Sequence, residues 1–438
     1  MRSHPVHLTL FALVAFGLIG SALGQRPEDG EIDFEKKIRP SSDMRKDLSK
    51  GDVSANPKEK AHVQAINDQA RMLVYPLYWR AIKPEVGKVN AVVDYFVSNL
   101  ATYQRGRPAT NTFIQLLCKE VITCCVEIIQ HRDAKTIAGI NAARILATIP
   151  QRRMERGMLL AEKTWIEETQ PRLADGNAEL LAETCLTLIA DPKMTDGHRY
   201  WLYRCLASLL SLPTQAPPLL KAETVDKILV KAIDQIEKKV VFPKATSRQE
   251  VEGYKMLRQQ AIIVLASAGR PVVGDKRPIL VLARVAGGDT DLDPAPRLTE
   301  RIEATIGLAR MGSASAKLAD IQMDYAMGAI VSTVIEFGRQ GNGNRAEPPI
   351  KRLRPWKVDA ARLNEALDEL KASVKAPRYV QDAIKECQSK VLSDLEKDNN
   401  LSKFNELNDW LTSNAPPSKA LFKSDPKTTI KGAAAAPE

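Results

Sequence analysis

The chain has 438 residues, a formal net charge of +10, 44% hydrophobic residues and only 5% aromatic ones. Six scattered cysteines without a C-x-x-C pair exclude a disulfide-stapled mini-domain, and the scarcity of aromatics argues against a β-sandwich core. After residue 24 no segment reaches eighteen uninterrupted apolar residues, so no later membrane span is expected.

Residues 1–24 read as a secretory signal. Arg2 supplies the positive start, Leu8 to Ile19 the short apolar run, and Ser21-Ala22-Leu23-Gly24 a small-residue cleavage site, so the mature chain is expected to begin near Gln25, with an uncleaved anchor as the rival reading. Residues 25–57 are charged, turn-rich and poor in apolar side chains, which reads as a disordered leader. From 58 to 337 helical patterns succeed one another at about 58–82 (broken near Pro76), 85–100, 113–129, 134–149, 154–169, 177–190, 196–211, 221–238, 247–268, 277–286, 298–311 and 317–337. Each ends at a proline, a glycine or both, as separated helical hairpins do. Residues 338–358 read as a basic loop, 359–412 as more polar helices with apolar positions at Leu363, Leu367 and Leu370, and 413–438 as a disordered tail.

One phrase recurs through this region. Ala142 to Ala147, Ala182 to Leu186, Ala261 to Ala266 and Ala304 to Ala309 each place an Ala and a Leu four apart, followed by a helix stop. A period near forty residues is the mark of stacked helical hairpins that bury their apolar faces only against neighbours. All four Ala are therefore expected at buried helix–helix contacts, on equivalent helices of one row. The phrase resembles the second helix of HEAT and armadillo-type repeats, most clearly in Leu257-Arg258-Gln259-Gln260-Ala261-Ile262-Ile263-Val264-Leu265-Ala266. The resemblance covers about 134–337 and extends more loosely over 85–133, departs from the pattern at Gly307 in mid-helix, and is absent after 358. It implies an all-α, HEAT-like α-solenoid with a polar C-terminal helical region, and a binding surface with no catalytic residues to carry over.

Few residues suggest chemistry. The histidines of the mature chain, His62, His131 and His198, stand alone without metal-site spacing. Asp289, Asp291, Asp293 and Glu300 fall at positions 1, 3, 5 and 12 of a calcium-type loop, but Pro294 stands where such a loop needs glycine. The plainer reading is an acidic loop before a helix N-terminus; no metal and no cofactor is expected. Residues 338–357 hold six cations against Glu347 alone, and Lys351, Arg352, Arg354, Trp356 and Lys357 form a candidate site for an anionic glycan or lipid. Cys185 and Cys205 flank a turn centred near residue 195, so an antiparallel hairpin would set them at similar heights as a candidate disulfide.

The expected role is an exported, non-catalytic scaffold binding a protein or cell-envelope partner. A polyanion-binding envelope protein acting through 345–357 is the first alternative, and an α/α enzyme on an anionic glycan the second. Nucleic acid is disfavoured by export.

Overall fold

The computed structural model describes residues 60–82, 86–102, 112–150 except 133, 173–211, 219–343 except 241, 244–245 and 316–317, 356–373, 377–397 and 403–429. The signal segment, the leader, the helix expected at 154–169 and the end of the tail lie outside these residues. The described residues are all-helical, and their only extended pairings are isolated bridges. The chain divides into two compact units, one ending at Leu146 and the other beginning at Ala147.

The first unit contains α1 Lys60–Val74, α2 Pro76–Ile82, α3 Val86–Thr102, α4 Thr112–Gln130 and most of α5 Thr136–Thr148. Pro76 opens α2, because a residue without an amide hydrogen is tolerated in the first turn of a helix but not in its interior. The helix α1 packs on α4, and α2 on α3. Val89, Val92, Val93 and Phe96 form the buried side of α3, whereas Val97 lies at its exposed margin.

The second unit continues with α6 Asp175–Ala190, α7 Asp196–Leu210, α8 Ala222–Glu237, α9 Arg248–Ala268, α10 Pro278–Gly287, α11 Leu298–Ser315, α12 Met323–Gly343, α13 Trp356–Ser373, α14 Arg378–Cys387, a π-helical turn Gln388–Leu392, α15 Ser393–Glu396 and α16 Phe404–Ser413. Local chemistry sets several of these ends. Ser247 and Glu250 cap the start of α9 reciprocally, at 3.2 and 2.8 Å. Gly269 ends α9 with φ +62°, and Gly288 ends α10 with φ +74°, a backbone conformation that other residues resist. Two rows of helices result. Helices α7, α9, α11 and α13 pack each on the next, and α6, α8, α10 and α12 do the same, while α6 packs on α7, α8 on α9 and α10 on α11.

Ala142, Ala182, Ala261 and Ala304 are all fully buried. Their placement on one row does not hold: α6, which carries Ala182, shares its row with α8, whereas Ala261 and Ala304 lie in the row of α7. Helices of both rows approach closely, so both need small side chains. Leu186 is only half-buried, and the buried stripe of α6 is Ala178, Leu181, Ala182, Cys185 and Leu188. Gly307 has a packing cause. A Cβ there would lie 2.7 Å from Leu282 Cδ1 and 2.8 Å from Ala266 Cβ, so glycine lets α11 reach both α10 and α9.

Two boundaries differ from expectation. The basic loop does not begin at 338, because α12 continues to Gly343 and α13 starts at Trp356. Gly338 looks like a helix stop in the sequence but serves close packing: a Cβ there would lie 2.7 Å from Phe404 Cβ. The disordered tail expected from 413 is also corrected. Ser413 ends α16, and residues 414–429 dock along 318–324. Gln322 N donates to Leu421 O at 2.8 Å, and Lys423 N to Asp320 O at 2.9 Å. Ser424 donates from N and Oγ to the Asp320 carboxylate at 2.7 and 2.6 Å. Ala420, Leu421 and Phe422 are buried, an apolar run too short to show a period in a polar segment.

Candidate functional site

The acidic loop becomes part of the frame. Glu300, in the first turn of α11, is fully buried and receives the Arg258 guanidinium from α9 in a bidentate pair, Nε at 2.6 Å and Nη2 at 3.2 Å. Arg258 Nη1 donates to Pro294 O at 2.6 Å, and Arg297 N to Glu300 at 3.0 Å. Asp289 accepts from Arg284 Nε at 2.7 Å and from Asp291 N at 2.9 Å. Asp291 and Asp293 are exposed. Two of the four carboxylates are thus engaged by arginines in different places, and no cluster of metal-binding side chains occurs among the described residues. A calcium loop needs its carboxylates converging on one cation. Arg258 was missed as a partner, although an arginine inside the apolar phrase Leu257 to Ala266 signals a buried charge that requires a carboxylate.

Of the basic candidate, Lys351, Arg352, Arg354 and also Arg345 lie outside the described residues. Arg339 belongs to α12 and pairs with Glu336 at 2.7 Å. Trp356 opens α13 half-buried, its ring stacked on Phe337 with centroids 5.2 Å apart, and Lys357 is exposed beside it.

Cys185 on α6 and Cys205 on α7 are brought together. Both are fully buried and unbridged, and burial, with Cys185 nearby, pushes the Cys205 thiol well above its ordinary range. The turn between them is closed by Arg199, whose Nε and Nη2 donate to Ile189 O at 3.3 Å and Asp191 O at 3.1 Å. Ile189 O is a carbonyl left open at the C-terminal end of α6, and Asp191 O also accepts from Met194 N at 3.1 Å. His198, in the first turn of α7, accepts the Thr195 amide on Nδ1 at 3.3 Å. Burial and then the neighbouring Arg199 hold its pKa below the usual imidazole value, which keeps that nitrogen free to accept.

A groove of about 290 Å³ lies against this turn, lined by Ile189, Arg199, Tyr203, Lys231, Asp234 and Lys238 among others. Tyr203 donates to Lys231 O at 3.2 Å, and burial raises its hydroxyl pKa. Lys231 and Lys238 line the groove with Arg199, which also lies 3.5 Å from Asp196, against Asp234, so the lining is cationic by a small margin. No helix among the described residues is long and apolar enough to cross a membrane. The chain matches no family model, no curated protein and no solved structure.

Proposed function

We propose that the chain is an exported, non-catalytic scaffold of HEAT-like build that binds a protein or cell-envelope partner. The observation that carries this reading is the succession α7, α9, α11, α13, each packed on the next and backed by α6, α8, α10 and α12. Such stacking adds core without closing the array and leaves a long surface for recognition. The cationic groove at Arg199, Lys231 and Lys238 supplies a place where an acidic segment of the partner would seat. The test is photo-crosslinking of the exported chain with a reactive side chain at position 235, in the groove, and at 385, an exposed site on α14. A discrete envelope species captured only from 235, and lost in Lys231→Glu/Lys238→Glu, is the expected result. Identical products from both positions would remove the groove from consideration.

A second reading, binding of an anionic glycan or lipid through 345–357, is supported by the five cations of that segment and the exposed Lys357 at the start of α13. Binding to anionic vesicles that weakens with salt, and more weakly so in a variant with Lys351, Arg352, Arg354 and Lys357 all changed to Ala, is expected on this reading. Superimposed salt curves for the two proteins would rule it out.

A further inference from the structure

We propose that Cys185 and Cys205 become joined by a disulfide that staples α6 to α7 as this hairpin folds. The inference rests on the hairpin itself and not on the scaffold reading. The two residues are twenty positions apart and lie on antiparallel neighbours joined by the five-residue turn 191–195. Both side chains are fully buried, on two helices that pack on one another. Two thiols at matching heights on packed antiparallel helices are placed where a disulfide can span the pair. The other cysteines are placed differently: Cys118, Cys124 and Cys125 share α4, and Cys387 ends α14.

The chemistry is thiol–disulfide exchange. A thiolate of the pair attacks a small-molecule or protein disulfide, expelling one thiolate and leaving a mixed disulfide. The second cysteine then attacks the chain-side sulfur and expels the other thiolate. Two protein thiols and one external disulfide thus give one protein disulfide and two external thiols, which take up the two protons. Burial starves the folded pair of both thiolate and oxidant, so the bond belongs to the folding chain and not to the finished one. Once made, it fixes the relative position of Ile189 and Arg199, which line the cationic groove.

The test counts thiols in the full chain. Protein recovered from an oxidising export compartment is denatured without reductant and alkylated, and a second sample is refolded in oxidised and reduced glutathione. In both, four of the six cysteines should alkylate, all six after reduction, with a proteolytic fragment linking Cys185 to Cys205. Oxidised glutathione added to the already folded, reduced chain should form the bond far more slowly. The bridged protein should melt about 5–10 °C above its reduced form, a difference absent in Cys185→Ala/Cys205→Ala. Six free thiols in the refolded sample, or a bridge to any other cysteine, would overturn the proposal. A bridge in the refolded sample but not in the recovered one would uphold it and count against export.

Discussion

The connector 288–297 between α10 and α11 and the segment 414–429 after α16 both bear prolines and carboxylates, yet they are anchored in different ways. In the first, Glu300 at the start of α11 is sealed from water and met by Arg258 from the neighbouring helix of its row. In the second, Asp320 and Asp425 bind Ser424 and Arg277 at the surface, and the buried apolar residues are Ala420, Leu421 and Phe422. A sealed ion pair is strongly coupled to the fold, because losing one partner strands the other charge in a medium that cannot solvate it. A surface clasp exchanges protein partners for water at little loss, so its grip comes from the apolar residues beneath it.

The largest expected effect follows from the first anchor. Arg258→Ala should destabilise the protein by about 3–5 kcal/mol, read from the denaturant midpoint. The double change Arg258→Met/Glu300→Leu should recover most of that loss, because it strands no charge. If the double variant is as weak as the single one, the pair acts through specific geometry and not through the cost of an unpaired charge.

Leu421→Ala should weaken docking of the C-terminal segment by about 2–4 kcal/mol, the usual range for a buried leucine. Faster hydrogen exchange at the Gln322 and Lys423 amides, with the α9–α11 core unchanged, would register it. An equal effect on the core would mean that the tail is integral to the fold. Acid should loosen the same segment. Hydrogen bonds from Ser424 hold the Asp320 carboxyl below its ordinary value, and Arg277 does so for Asp425. Their contribution is therefore complete above about pH 4, the unfolded carboxylate range, and is lost as pH falls through the lower folded values. Exchange at the Lys423 amide against pH in Asp320→Asn should lack most of this dependence. The smallest effect is expected for Arg277→Gln, which removes the surface partner of Asp425 while leaving Leu421 and Phe422 buried. Its melting temperature should stay within error of the parent, and a clear drop would show that the guanidinium 4.4 Å from the Phe422 ring centre matters more than the surface pair.

Helix positions were legible from the sequence because apolar periodicity and Pro or Gly stops are local signals: α4, α6 to α10 and the break at Pro76 fall where the pattern puts them. The burial of Ala142, Ala182, Ala261 and Ala304 was legible for the same reason, since an alanine among branched apolar residues marks a close helix contact. The row to which each helix belongs was not, because both rows need small residues and a spacing of forty cannot tell them apart. Gly338 was misleading locally, since a glycine that ends a helix and one that admits a neighbouring helix look alike until the neighbour is present, and Gly307 was legible as a mid-helix glycine but not the close packing that calls for it.

The same division holds for the candidate site. The sequence by itself determined an all-helical chain, a cysteine pair at matching heights about one turn, and a loop of carboxylates before a helix. Only the tertiary structure decided that both thiols are sealed from water on packed helices, that Glu300 belongs to Arg258 and Asp289 to Arg284, and that 414–429 is docked. Each of these depends on side chains far apart in sequence meeting across packed helices, where helix rotation and the exclusion of water select the partner, and neither quantity is written in local spacing.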